Sequence, residues 1–290
     1  MKILILGGTS AVASDFLSAL SSETSLEVFA TYCNKKPYLI YESIRWVKLC
    51  LESDENHFLS ELKAIEFDYV LNFILIGEVT KLDRYYRIMS KLFLSVFGAS
   101  TRVINISSNG VYKHSLIPIT ELDELNTVEV YAKQKVISEK ILAERQMNLR
   151  VAILPIRKFG SGTLIKNIYK SKKGAHIFVD ENNSWNGILS THFAQLLITL
   201  INQNYFIHGT RNIFSLNPEP TIELIKSILL FTDRTDLKID YDNSKSLNKI
   251  ILSTVYKDFH NNIWHDSMYG GEITTRAVLD ELSKLRFHLQ

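Results

Sequence analysis

The chain opens with Lys2-Ile3-Leu4-Ile5-Leu6, a run with no polar alternation, as expected of a parallel strand covered on both faces. Gly7-Gly8-Thr9-Ser10 follows at once, and Ala13, Phe16, Leu17 and Leu20 then recur at helical spacing. A strand that passes through a glycine turn into a helix commits the chain to parallel α/β architecture from its first residues. It also aims the helix N-terminus at the strand end, where a pyrophosphate can rest. The strict glycine spacing is incomplete. Read as G-x-x-G-x-x-G from Gly7, the other two positions hold Ser10 and Ala13. Ala13 still allows close packing of helix on strand, whereas the Ser10 side chain stands where backbone would approach phosphate, either donating to it or weakening its binding. Gly7, Thr9, Ser10, Ala11 and Val12 are the residues expected to meet a dinucleotide here.

The same rhythm continues. Strands are predicted near 2–6, 26–32, 45–49, 67–74, 102–107 and 149–155, and helices near 11–22, 56–65, 81–98 and 129–147. This alternation is the signature of a doubly wound parallel sheet. After Pro155 the apolar runs shorten, and helices follow near 191–203, 219–231 and 271–287. The expected organisation is a dinucleotide-binding domain over 1–160 and a smaller C-terminal substrate-binding domain over 161–290. Part of 187–215 returns to the first domain, and the site lies in the cleft between them. At 290 residues and 46% hydrophobic the chain can bury such a core. A net charge of +2 without a basic block argues against nucleic acid as a partner. The longest apolar run, near Phe67 to Gly77, contains Asp68 and Asn72 and is too short to span a bilayer. With no cationic leader and only Cys33 and Cys50, neither a secretory signal nor a disulfide framework is expected, which points to a soluble cytoplasmic protein.

Chemistry is concentrated further on. Tyr131 and Lys135 stand four apart in a run that reads as a helix with Ile137, Ile141 and Leu142 on one side, so phenol and ammonium share a face. The ammonium is expected to lower a phenol pKa that would otherwise lie near ~10. Ser107-Ser108 ends the strand Val103–Ile106, and a hydroxyl there can hold a carbonyl oxygen while the tyrosine gives or takes a proton. That is equipment for interconverting an alcohol and a ketone beside a hydride carrier. The second strand ends in Cys33-Asn34-Lys35-Lys36, with no acid for a ribose diol and two lysines where a 2′-phosphate would lie, which favours NADP over NAD. Asn34, Lys35 and, on the fourth strand, Asn72 complete the expected cofactor contacts. Arg157, Lys166 and Arg211 are candidate cations for a diphosphate. Trp185 either stacks on a base or fills the domain core. His192, His260 and His265 lack metal-ligand spacing, so no metal is expected.

Gly7-Gly8-Thr9, Ile106-Ser107-Ser108-Asn109-Gly110-Val111-Tyr112 and Tyr131-Ala132-Lys133-Gln134-Lys135 together resemble the extended short-chain dehydrogenase/reductases, the group of NAD-dependent epimerases and dehydratases acting on nucleotide sugars. Trp185-Asn186-Gly187 and the helix after it look most like the dTDP-4-dehydrorhamnose reductase branch. The resemblance covers about residues 2 to 215. It implies a Rossmann-type domain, catalysis by Ser108, Tyr131 and Lys135, a ribose contact from Lys135, and substrate contacts from Ser108, Asn109, Tyr131, Arg157, Trp185 and Arg211. It also implies a homodimer through the helices at 81–98 and 129–147. Two positions depart from the family pattern: Leu154 stands where arginine is frequent, and Cys50 where an acid is frequent. Dehydratases resemble one another in placing Asp-Glu after the catalytic hydroxyl, and Asn109-Gly110 there argues against dehydration. The expected activity is NAD(P)H-dependent reduction of a nucleotide-activated 4-keto-6-deoxysugar, in deoxysugar and surface-polysaccharide biosynthesis. Two other readings stay open: a nucleotide-sugar 4-epimerase holding NAD tightly, and a non-catalytic NADP-binding regulator.

Overall fold

A computed structural model describes residues 1–20, 26–34, 43–49, 60, 62–63, 65–75, 81–95, 97–126, 128–141, 145–156, 163–242 and 250–285. Seven parallel strands form the main sheet: β1 (Lys2–Leu6), β2 (Glu27–Tyr32), β3 (Ile44–Lys48), β4 (Tyr69–Asn72), β5 (Arg102–Ile106), β6 (Gln146–Val151) and β11 (Gly209–Ile213). Their order is β11-β6-β5-β4-β1-β2-β3, so the winding reverses between β1 and β4. In open α/β sheets the crevice at such a reversal, outside the carboxyl ends of the strands, is where ligands bind.

Helices cover both faces of the sheet. On one side α1 (Ala11–Leu20) packs with α5 (Ser190–Asn202) in a core that includes Phe16, Leu17, Phe193 and Leu197. On the other, α2 (Leu82–Ser95) buries Tyr85, Ile88, Met89 and Leu92, and α3 (Val130–Lys140) lies beside it. The short strands β7 (Ile153–Leu154) and β10 (Ile188–Leu189) pair in parallel and bring the chain back toward α5 and β11. A second core gathers Leu154, Ile165, Ile168, Val179, Leu224, Ile228, Val278 and Leu282. It is built by α4 (Leu164–Lys170), α6 (Thr221–Phe231), α8 (Thr275–Lys284) and the parallel pair β8 (His176–Val179) and β13 (Lys238–Tyr241). β9 (Ser184–Trp185) pairs with β12 (Glu219–Pro220), and α7 (Lys257–His265) inserts Ile263 and Trp264 into the first core. No helix among the described residues is long and apolar enough to cross a membrane.

The structure corrects the helix expected over 129–147 in two ways. The helix ends at Lys140, and Gln146 and Met147 already belong to β6. The reason is local: Gln146 Nε2 donates to the carbonyls of Ser138 (2.9 Å) and Glu139 (2.6 Å), satisfying the last turn from outside. The buried side of α3 also differs from expectation. Ile137 is half-buried and Leu142 lies outside the described residues, while Gln134, Lys135, Ser138 and Glu139 are buried with Ala132 and Val136. Of the helix expected over 56–65, the described residues Ser60, Leu62 and Lys63 are helical. Helix α7 was not anticipated. Cys33, just past β2, is disulfide-bonded, which the cysteine count did not suggest; Cys50 lies outside the described residues.

Candidate active site

The glycine turn sits at the reversal point. Gly7 has φ of +74°, a conformation that suits glycine, and a Cβ on it would lie 3.1 Å from Ile74 N and from the Phe73 carbonyl carbon. A Cβ on Gly8 would lie 2.9 Å from Ala30 Cβ and 3.0 Å from the Trp46 ring. The turn is held by Thr31, whose hydroxyl accepts from Gly7 N (2.8 Å) and whose carbonyl accepts from Gly8 N (2.9 Å). The side chain of Ser10 turns inward as a helix cap, its hydroxyl accepting from Ala13 N at 3.2 Å. Its role is therefore to start the helix, and α1 begins at Ala11 with Val12 in its first turn, where the backbone N–H groups lack intrahelical partners. This close-packed turn, aimed along a helix axis at the sheet reversal, fits the pyrophosphate of a dinucleotide. Asn34 is exposed just beyond β2; Lys35 and Lys36 lie outside the described residues.

Asn72 serves the floor of this crevice from within. Only 3% exposed, it donates to Asn105 Oδ1 (2.9 Å) and the Tyr85 hydroxyl (3.1 Å), and accepts from Ile74 N (3.2 Å). From α3, Gln134 Nε2 reaches the Ile74 carbonyl at 3.3 Å, joining that helix to the same floor.

Ser108 and Tyr131 meet from two elements, and Lys135 lies one turn beyond Tyr131 on the second. Ser108 follows β5 and caps a single helical turn over Asn109–Val111, its hydroxyl accepting from Gly110 N at 3.1 Å, with Asn109 Oδ1 at 3.4 Å. Tyr131 lies in the first turn of α3, with part of its side chain exposed. Its ring passes so close to Gly110 that a Cβ there would meet Tyr131 Cε1 at 3.2 Å. Burial raises the Tyr131 phenol pKa, and a hydrogen bond with Ser108 draws it down. The expectation that Lys135 lowers this phenol is thus replaced: the group that does so is Ser108. Lys135 is buried and donates to the Ile106 carbonyl at 2.7 Å; burial lowers its pKa to about 8, against the pull of Glu139. Ser107 donates its hydroxyl hydrogen bond to Glu139.

The substrate candidates scatter. Arg150 and Asn212, register partners on β6 and β11, turn toward the α3 side, where Arg150 meets Glu139. Strand alternation sends Arg211 to the opposite face, its guanidinium 3.8 Å from the Tyr256 ring centroid. The structure therefore does not bring Arg211 to Tyr131. Trp185 packs against the second core and over Gly187, where a Cβ would lie 2.6 Å from its ring. Lys166 is half-buried on α4, and Arg157 lies outside the described residues. Sequence reasoning missed Glu139, Arg150 and Tyr112; the signal for Glu139 was present, since it continues the Tyr131–Lys135 spacing by one more turn.

No protein-family model and no curated protein sequence matches the chain. Solved structures do. A dTDP-glucose 4,6-dehydratase from Bacillus anthracis, in complex with NAD, superposes with a TM-score of 0.73 at 14% identity, over 98% of this chain and 96% of that one. The fold is that of the extended short-chain dehydrogenase/reductases. A UDP-Glc/GlcNAc 4-epimerase from Campylobacter jejuni matches equally well (TM-score 0.73, 15% identity, 97% of each chain). A dTDP-4-dehydrorhamnose reductase from Clostridium acetobutylicum gives 0.65 at 17% identity over 98% of each chain. Dehydratase, epimerase and reductase thus share this fold.

Proposed function

We propose that this chain is an NAD(P)H-dependent reductase of a nucleotide-activated 4-keto-6-deoxysugar. The observation that carries the reading is the Tyr131 phenol hydrogen-bonded to the Ser108 hydroxyl at the carboxyl end of the sheet, with buried Lys135 one turn further along α3, in the same molecule as the glycine turn at its reversal point. A bound nicotinamide would supply the hydride. Tyr131 gives its proton to the oxygen of the reduced carbonyl, and Ser108 donates a hydrogen bond to the same oxygen as charge gathers there. A phenol pushed above its ordinary value is protonated across the neutral range, the state an acid needs at the start of a reduction. Lys135, anchored on the Ile106 carbonyl, would hold the nicotinamide ribose. Gly7, Thr9, Ala11 and Val12 would hold the pyrophosphate, with NADP the proposed preference through Asn34 and Lys35. Asn109-Gly110 lacks the acid and base that dehydration needs. The second core would carry most sugar-nucleotide contacts, and a dimer through α2 and α3 belongs to the same proposal: α2 leaves Tyr86 and Leu94 exposed.

The test is oxidation of NADPH and NADH in the presence of dTDP-, UDP-, CDP- and GDP-linked 4-keto-6-deoxysugars, each made in place by a dehydratase. Replacing Tyr131 by phenylalanine should lower kcat by roughly 10²–10⁴-fold while dinucleotide affinity stays within about twofold. Near-full turnover in that variant would sink the assignment. Sugar interconversion with copurified NAD and no net cofactor use would point to the epimerase, and binding without turnover to the regulator.

A further inference from the structure

Glu139 stands four residues beyond Lys135, as Lys135 stands four beyond Tyr131, so the three share one face of α3. Its carboxylate is buried at 6% exposure and receives Arg150 in a fork, from Nε at 2.9 Å and Nη2 at 2.6 Å. The hydroxyl of Ser107 donates to the same carboxylate. Arg150 is itself buried, 4.7 Å over the Tyr112 ring, and donates from Nη1 to the Tyr112 hydroxyl at 2.8 Å. That hydroxyl donates to Asn212 Oδ1 at 2.8 Å. Two buried cations, Arg150 by contact and Lys135 through the field of the helix face, therefore depend on one carboxylate. Ser107 is the residue immediately before Ser108, so the carboxylate holds the strand end that presents Ser108 as well as the helix that presents Lys135.

We propose that Glu139 is the positioning residue of the site, locking the Ser107-Ser108 strand end to α3 and holding Lys135 in its charged form. This rests on the reductase reading above. Burial works against the Lys135 charge and Glu139 works for it, bringing the amine to about 8. Among the described residues, the groups around this amine are Tyr131 and Glu139 on its own helix, the Ile106 carbonyl on β5, and Arg150 on β6 behind Glu139. Tyr112 and, on α2, Tyr85 carry phenols raised by burial to about 12. Glu139 is the carboxyl group among them.

The experiment compares wild type, Glu139→Gln, Glu139→Asp, Lys135→Met and the double variant Glu139→Gln/Arg150→Met, which removes anion and contacting cation together. Two pH profiles are recorded between about pH 6 and pH 10: kcat, and NADPH affinity by fluorescence. The alkaline limb near pH 8 should be absent in Lys135→Met. It should move down by on the order of one pH unit in Glu139→Gln and in the double variant, and return toward its wild-type position in Glu139→Asp. If the single glutamine variant does not fold, the double variant carries the test. An unmoved limb in a folded Glu139→Gln or double variant overturns the proposal, as does a loss of activity parallel at every pH. NADPH affinity is read without turnover, so an inactive wild type that still binds NADPH refutes the reductase reading while leaving this test intact. A wild-type protein that shows no limb in either profile overturns the role given to Glu139.

Discussion

At the scale of single residues, two glycines carry the geometry, for different reasons. Gly7 is constrained by its backbone: φ of +74° and a Cβ position 3.1 Å from the β4 exit segment both oppose any side chain. Gly7→Ala should destabilise the protein by about 1–2 kcal/mol or more, measured by urea denaturation, and weaken NADPH binding in the same preparation. Gly110 is constrained by a neighbour. Its Cβ would press on the Tyr131 ring at 3.2 Å with no positive φ involved, so Gly110→Ala should leave stability within about 1 kcal/mol while lowering kcat by roughly tenfold or more through displacement of the phenol. A variant with unchanged kcat would show that Tyr131 adapts freely. The contrast marks what was legible in the sequence. The need for Gly7 follows from strand, turn and helix in one dimension. The need for Gly110 depends on a ring that arrives from a residue 21 positions later.

At the scale of elements, α3 is the unusual helix, because it docks through polar side chains. Asn72, Asn105 and Asn148 are register partners on β4, β5 and β6 and form a ladder: Asn72 Nδ2 to Asn105 Oδ1 at 2.9 Å, then Asn105 Nδ2 to Asn148 Oδ1 at 3.0 Å. Asn105 also reaches Ser138 of α3 at 3.2 Å. A buried polar group is tolerated when its partners are present and costly when they are not. Asn105→Leu leaves Asn72, Asn148 and Ser138 short of partners at once, and should cost roughly 2–4 kcal/mol by urea denaturation. A cost below about 1 kcal/mol would mean that the ladder contributes little. This ladder explains why strands were readable and the face of α3 was not. Apolar runs announce parallel strands such as β1 and β5, but hydrophobic periodicity cannot identify a face made of Gln134, Lys135, Ser138 and Glu139. The end of α3 is equally hidden from the sequence, because it is set by Gln146, a side chain on the next strand, rather than by a glycine or proline in the chain. The face taken by Arg211 was hidden for another reason: a charge on a strand gives no sign of which side of the sheet it will take.

At the scale of the whole molecule, the buried ionisable groups around α3 shape stability against pH from both sides. Lys135 falls from an ordinary 10.5 to about 8 on folding, chiefly by burial. Between those values the unfolded chain binds more protons than the native one, so stability rises with pH and is lost again as pH falls through about 8. Tyr85 and Tyr112 run the other way, from 10.0 to about 12, again chiefly by burial. Their contribution is complete below pH 10.0 and disappears as pH climbs through about 12, because the native phenols keep protons that the unfolded chain has released. The sum of these groups is a maximum displaced to the alkaline side, near pH 9 to 10, whereas stability between about pH 5 and 8 is the more usual optimum. Urea denaturation across that range should show the rise, of order 3 kcal/mol between about pH 8 and pH 10 if Lys135 acts alone. In Lys135→Met the rise should vanish and the fall above about pH 10 should remain. A wild-type profile that is flat or descending through that interval would show that the amine is not desolvated as the fold places it, and would remove the physical reason for Glu139 to stand where it does.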